Sequence, residues 1–102
     1  MALLKDMKTK LPIAVIQMRS VPGDVEKNLK EMLVHIQKAR NKGAGLVVFP
    51  ELSTSGYLLG DLWEHPAFLK EIEDANEEIR KGSKGIAVIW GSVKVDHEKI
   101  GE

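Results

Sequence analysis

The hydrophobic period of this chain switches back and forth along its length, and that alternation limits the fold more than anything else in it. Residues 12–18, PIAVIQM, form a short apolar, β-rich run without polar alternation, the pattern of a strand covered on both faces. From residue 25 the period becomes helical. Val25, Leu29, Met32, Leu33 and Ile36 fall at offsets 0, 4, 7, 8 and 11, one face of a helix. LVVF, residues 46–49, reads as a second covered strand. Leu69, Ile72, Ala75 and Ile79 mark a second amphipathic helix, with Pro66 suited to its first position. GIAVIWGSVKV, residues 85–95, is a third strand, continuously apolar up to Trp90 and alternating afterwards. The order β-α-β-loop-α-β predicts an α/β fold, because helical crossovers of this length join parallel neighbours.

The joints between these segments carry their own signals. In RSVPGD, Pro22 and Gly23 are turn residues and Asp24 is a candidate N-cap. Lys38, Arg40 and Lys42 suit the negative end of the first helix dipole, and Gly43 and Gly45 offer a C-cap and a break. Lys81 and Gly82 close the second helix. An irregular stretch from Glu51 to about His65 separates the second strand from that helix. The opening MALLKDMKTK, residues 1–10, is read as a loose N-terminal arm, too soon interrupted by charge to form a signal peptide. At the other end, SVKVDHEKIGE reads as a strand entering a turn with no returning strand. Two covered strands and half a hairpin need more sheet than 102 residues supply, so residues 11–102 are expected to be the N-terminal part of a longer domain. The other reading is a complete small three-strand α/β unit.

Charge and composition narrow the function. Fifteen basic residues balance fifteen acidic ones, which removes the electrostatic footprint of a nucleic-acid binder or a polybasic membrane anchor. No apolar run approaches the roughly 18 to 20 residues that span a bilayer. The chain has no cysteine, which excludes disulfides and thiolate metal ligands and fits a reducing cytoplasm. His35, His65 and His97 show no metal-ligand spacing, so no metal is expected. No Gly-rich nucleotide fingerprint occurs either.

VVFPELSTSGY, residues 47–57, is where chemistry concentrates. Ligands of open α/β sheets collect outside the carboxyl ends of parallel strands, and Glu51 stands where the second strand runs out. Pro50 holds Phe49 extended, Gly56 permits φ > 0, and Ser53, Thr54 and Ser55 offer small donors. A carboxylate beside Phe49 and Tyr57 would be partly desolvated, which raises its proton affinity toward the range of a general base. Glu51 is therefore either a placed base or a solvated loop acid. Tyr57 either lines a substrate pocket or packs beneath the loop. Asp61 reads as a loop acid or, more readily, a cap for a short turn, Trp63 as a partner contact or a partly buried anchor, and Trp90 as core. The acidic run Glu71, Glu73, Asp74, Glu77 and Glu78 reads as a solvated helix face.

FPELSTSGY resembles the first signature of the carbon–nitrogen hydrolase (nitrilase) superfamily, an apolar strand, Pro-Glu, four variable residues and Gly-Tyr. IAVIQMRSVPGDVEKNLKEML is similar to that family's first strand, turn and helix, and GIAVIWGSV to its third strand, so the resemblance covers about residues 11–96 in order. GYLLGDLWEHPAFL is most like the glutaminase domain of glutamine-dependent NAD synthetases. The resemblance implies the N-terminal part of a four-layer αββα sandwich and a Glu-Lys-Cys triad. Glu51 would be the base acting on the cysteine and Tyr57 a substrate contact. A lysine would stabilise the oxyanion. It implies glutamine as the amide substrate, no cofactor in this domain, and ATP and deamido-NAD on a separate synthetase domain. The chain departs from the pattern in having no cysteine, and none of its lysines matches the family's, so these residues alone are expected to be inactive. A stand-alone amidase or carbamoylase and a non-catalytic α/β interaction module remain as alternatives. Unpaired strand edge and uncovered apolar surface further predict a homo-oligomer.

Overall fold

The structure, a computed structural model, describes residues 2–5, 11–56, 62 and 64–92. Its elements are β1 (Ala2–Lys5), β2 (Pro12–Val15), α1 (Val25–Asn41), β3 (Leu46–Val48), α2 (Pro66–Gly82) and β4 (Ala87–Ile89). They form one sheet in the order β1-β2-β3-β4. β2, β3 and β4 are parallel, with Ala14, Val47 and Val88 in register, and β1 is antiparallel to β2. The α/β fold read from the period is the fold observed.

The loose arm is corrected in part. Ala2 to Lys5 pair with Val15 to Pro12, because an edge strand left alone presents unpaired backbone groups that another strand satisfies. The regular strands are also shorter than the apolar runs. β2 stops at Val15 and β3 at Val48, although Ile16 N–H still donates to Val48 O and Phe49 N–H to Ile89 O, each at 2.9 Å. The half-finished hairpin after residue 92 lies outside the described residues.

Helix boundaries follow local chemistry. Asp24 accepts a hydrogen bond from Lys27 N–H at 3.2 Å, capping α1. At the other end Gly43 takes φ +83°, its N–H donating to Arg40 O and that of Ala44 to Ala39 O, a Schellman closure. Pro66 opens α2 as expected. Phe68, Ile72, Ala75 and Ile79 are the buried residues of α2, while Leu69 is only partly buried. The acidic residues of α2 face solvent or its edge, with Lys70–Asp74, Arg80–Glu77 and Lys81–Glu78 pairs along the helix.

Both helices cover one side of the sheet. Ala14, Ile16, Val47 and Phe49 are buried with Met32, Ile36, Ala39 and Ile79, each large side chain contributing about 1.5–3 kcal/mol. Val25, Phe68, Ile72 and Ala75 make a second cluster between the helices. Trp90 packs against the core partly buried, its Nε1 donating to Asn76 Oδ1 at 3.1 Å. The expectation of strands covered on both faces is not met among the described residues. Ile13, Val15, Leu46 and Val48 are half-exposed and Ile89 is 56% exposed, because a single helix layer can cover only one face. One titratable group enters the helix layer. His35 on α1 has a buried Nδ1 with no hydrogen-bond partner, and burial pushes its imidazole below the ordinary value, against the opposing pull of Glu31.

Candidate active site

The loop after β2, residues 17–24, and the loop after β3, residues 50–56, meet at the carboxyl ends of the parallel strands. Hydrogen bonds rather than apolar packing join them. Asn28, wholly buried on α1, donates from Nδ2 to Val21 O and to Thr54 O, each at 2.9 Å. Its Oδ1 accepts from Val21 N–H at 2.7 Å. One side chain thus satisfies three backbone groups on two loops, as a buried amide must to be tolerated. Ser20 Oγ donates to Ser53 O at 2.6 Å and Gly23 N–H to Ser55 O at 2.9 Å.

The second loop is then wound tightly on itself. Ser53, Thr54 and Ser55 are fully buried; Ser53 Oγ donates to Pro50 O, and Gly56 N–H to Leu52 O at 2.8 Å. Gly56 has φ +75°, and a Cβ there would stand 2.8 Å from Pro22 Cα, so the two loops touch backbone to backbone. Leu52, directly after Glu51, is held at φ +51°, a left-handed conformation that costs a non-glycine residue about 1–2 kcal/mol. Across the sheet, Thr54 Oγ1 and Ser92 Oγ are hydrogen-bonded at 3.0 Å, tying the loop to the chain after β4.

Glu51 sits on this scaffold at the rim of a cavity of about 240 Å³, lined by Met18, Arg19, Ser20, Pro50, Glu51, Leu52 and Gly56. The placement at the end of a parallel strand is the one expected for a ligand site in such a sheet. The expected partial desolvation is corrected. Glu51 is exposed, and Phe49 belongs to the helix-side core instead of covering it. Tyr57, Asp61, Trp63 and His97 lie outside the described residues. A carboxylate on a fixed backbone can act as a general base toward a group held within hydrogen-bond reach of it. Among the described residues no group of three or more His, Asp or Glu is placed to hold a metal ion, and no helix is long and apolar enough to cross a membrane.

Sequence reasoning missed Asn28, Ser20, Leu52 and the chain after β4. Asn28 had a usable signal, a polar residue three positions after Val25 on the apolar stripe of α1. Nothing in the local sequence marks Leu52 or Gly91.

Known proteins with the same arrangement are found. The family model for carbon-nitrogen hydrolases matches residues 12–93. The glutamine-dependent NAD(+) synthetase of Xylella fastidiosa (strain Temecula1) is 38% identical over 82 residues, which cover 79% of this chain and 15% of that protein. Among solved structures, a glutamine-dependent NAD+ synthetase from Acinetobacter baumannii in complex with ADP superposes with TM-score 0.77 at 28% identity, over 84% of this chain and 16% of that one. An amidase from Nesterenkonia sp. superposes with TM-score 0.70 at 27% identity, over 78% and 31% respectively. The chain spans about 15% of the length of the synthetase from Xylella fastidiosa that it matches. With the family's sequence pattern running through every described element from β2 to β4, and its folds superposing on them, this chain belongs to the carbon-nitrogen hydrolase family.

Proposed function

We propose that the protein carrying these residues hydrolyses the C–N bond of a small amide, glutamine in first place, with Glu51 as general base. The observation that carries this reading is a single carboxylate at the carboxyl end of β3, on the rim of a cavity, on a loop fixed by hydrogen bonds from both sides. In the mechanism, Glu51 takes the proton of a cysteine thiol, and the thiolate adds to the amide carbon. A lysine ammonium stabilises the oxyanion, ammonia leaves with the proton returned by Glu51, and water hydrolyses the thioester. A solved glutamate-to-leucine mutant of the Nesterenkonia amidase, with the acetamide moiety of fluoroacetamide added covalently at its active-site cysteine, supports the nucleophile. These 102 residues hold no cysteine, so the thiol has to come from outside them, and on their own they are inactive. Tyr57, next to the cavity in sequence, is a substrate contact. The ammonia feeds NAD synthesis in the cytoplasm, with ATP and deamido-NAD held by a separate synthetase domain.

The test is ammonia release from glutamine by the protein with Glu51→Gln. A fall of about 10²–10⁴-fold is expected for loss of a general base; undiminished turnover rejects the assignment. The superposition on the amidase supports a second reading, a stand-alone amidase, and faster turnover of acrylamide than of glutamine selects it. The uncovered sheet face and the β4 edge, which pairs only with β3 among the described residues, support a homo-oligomer, and a monomer in sedimentation at micromolar concentration would count against it.

A further inference from the structure

We propose that Gly91 and Leu52 are positioning residues that together form a backbone seat aiming Glu51 into the cavity; this rests on the reading of Glu51 as the base. Gly91 follows β4, and a Cβ built on it would stand 2.9 Å from Leu52 N, 3.0 Å from Glu51 Cα and 3.3 Å from Glu51 Cγ. Two of these are backbone atoms, which cannot swing aside. Gly91 is not among the glycines with positive φ, so what this position requires of glycine is closeness of approach rather than left-handed freedom. Gly82 makes the contrast. A Cβ there would come within 2.8 Å of Leu33 Cδ2, the far end of a flexible side chain that can move.

Glu51 is therefore bounded on three sides. Pro50 fixes the backbone before it. Leu52 turns the chain left-handed after it at φ +51°, and is kept there by Gly56 N–H on its carbonyl. Gly91 lies against its Cα and Cγ, and the next residue, Ser92, holds Thr54. The cavity that Glu51 lines is completed by Met18, Arg19 and Ser20 from the loop after β2. A misplacement of about 1 Å in a reacting group costs on the order of 10²-fold in rate, so a seat at van der Waals distance controls turnover without touching substrate.

The experiment measures glutamine turnover, its pH profile and thermal unfolding for Gly91→Ala, Leu52→Ile, Gly82→Ala and Glu51→Gln in the protein that carries this chain. Gly91→Ala is expected to lower kcat about 10- to 100-fold with KM little changed and the acid limb of kcat/KM displaced, while Gly82→Ala keeps the wild-type kcat and profile. Leu52→Ile keeps the volume but is β-branched and least able to hold φ +51°; it is expected to open the turn, lower kcat and displace the same limb, and it carries the test alone if Gly91→Ala does not fold. Wild-type kcat and pH profile in the folded variants overturn the seat, as does a fall in activity that only follows the folded fraction. If Glu51→Gln is inactive while the seat variants match wild type, the seat alone falls; if Glu51→Gln is active, both readings fall.

Discussion

The helix-side core and the loop clasp at the end of the sheet lie next to each other and are built on opposite principles. Met32, Ile36, Val47 and Ile79 are held by apolar burial, which is non-directional and asks mainly for volume. Asn28, Ser20, Thr54 and Ser92 are held by hydrogen bonds between named atoms, which ask for identity and direction. α1 takes part in both, with Met32 and Asn28 one turn apart on its buried face. The contrast teaches that a residue's depth says little about what may replace it. Both side chains are fully buried, yet one is held by apolar contact and the other by three directed hydrogen bonds.

The sharpest way to break this contrast is Asn28→Leu. It keeps bulk but takes the amide away from Val21 N–H and Thr54 O, while Val21 O keeps the Asp24 N–H. Each group left unpaired costs about 1–3 kcal/mol, so a loss of about 2 kcal/mol or more is expected in urea unfolding. A stability equal to wild type would mean that the clasp is as tolerant as the core. Met32→Leu is the companion measurement, with an expected loss below about 1.5 kcal/mol; a larger loss would mean that the core is as selective as the clasp.

The smallest effect concerns pH. Burial holds the His35 imidazole below its ordinary value of 6.5 in the folded chain, so the unfolded chain takes up its proton first as pH falls. The stabilisation from the neutral imidazole is complete above about 6.5 and is lost as pH drops from there toward the folded value. Wild type is expected to lose more stability than His35→Leu between about pH 7.5 and 5.5. Equal losses would assign the acid sensitivity elsewhere.

The same division governs what could be read from the sequence. Apolar burial leaves a period, so the alternation of strands and helices, the Asp24 cap, the Gly43 closure and the Pro66 start were all legible. Phe68 taking the buried place on α2, with Leu69 beside it, is a slip of one position that a period alone cannot resolve. β1 was missed because two leucines in a charged opening are too few to show alternation, and its stability comes from β2. The position of Glu51 at a strand end was legible, while its exposure was not, since that depends on which way Phe49 turns. Hydrogen bonds across 26 to 38 positions, such as Asn28 to Thr54 and Thr54 to Ser92, leave no periodic trace. Nor does the absence of a side chain at Gly91, which reads locally as one more strand residue.

The contact of Gly56 with Pro22 has a consequence for anyone who would transplant this site. With a glycine from one loop laid on the backbone of the other, and Asn28 bridging both, residues 20–28 and 50–56 form one interchangeable part rather than two. Chimeras that exchange the Glu51 loop between relatives should carry the turn after β2 with it, because either piece alone arrives without the surface it was shaped against.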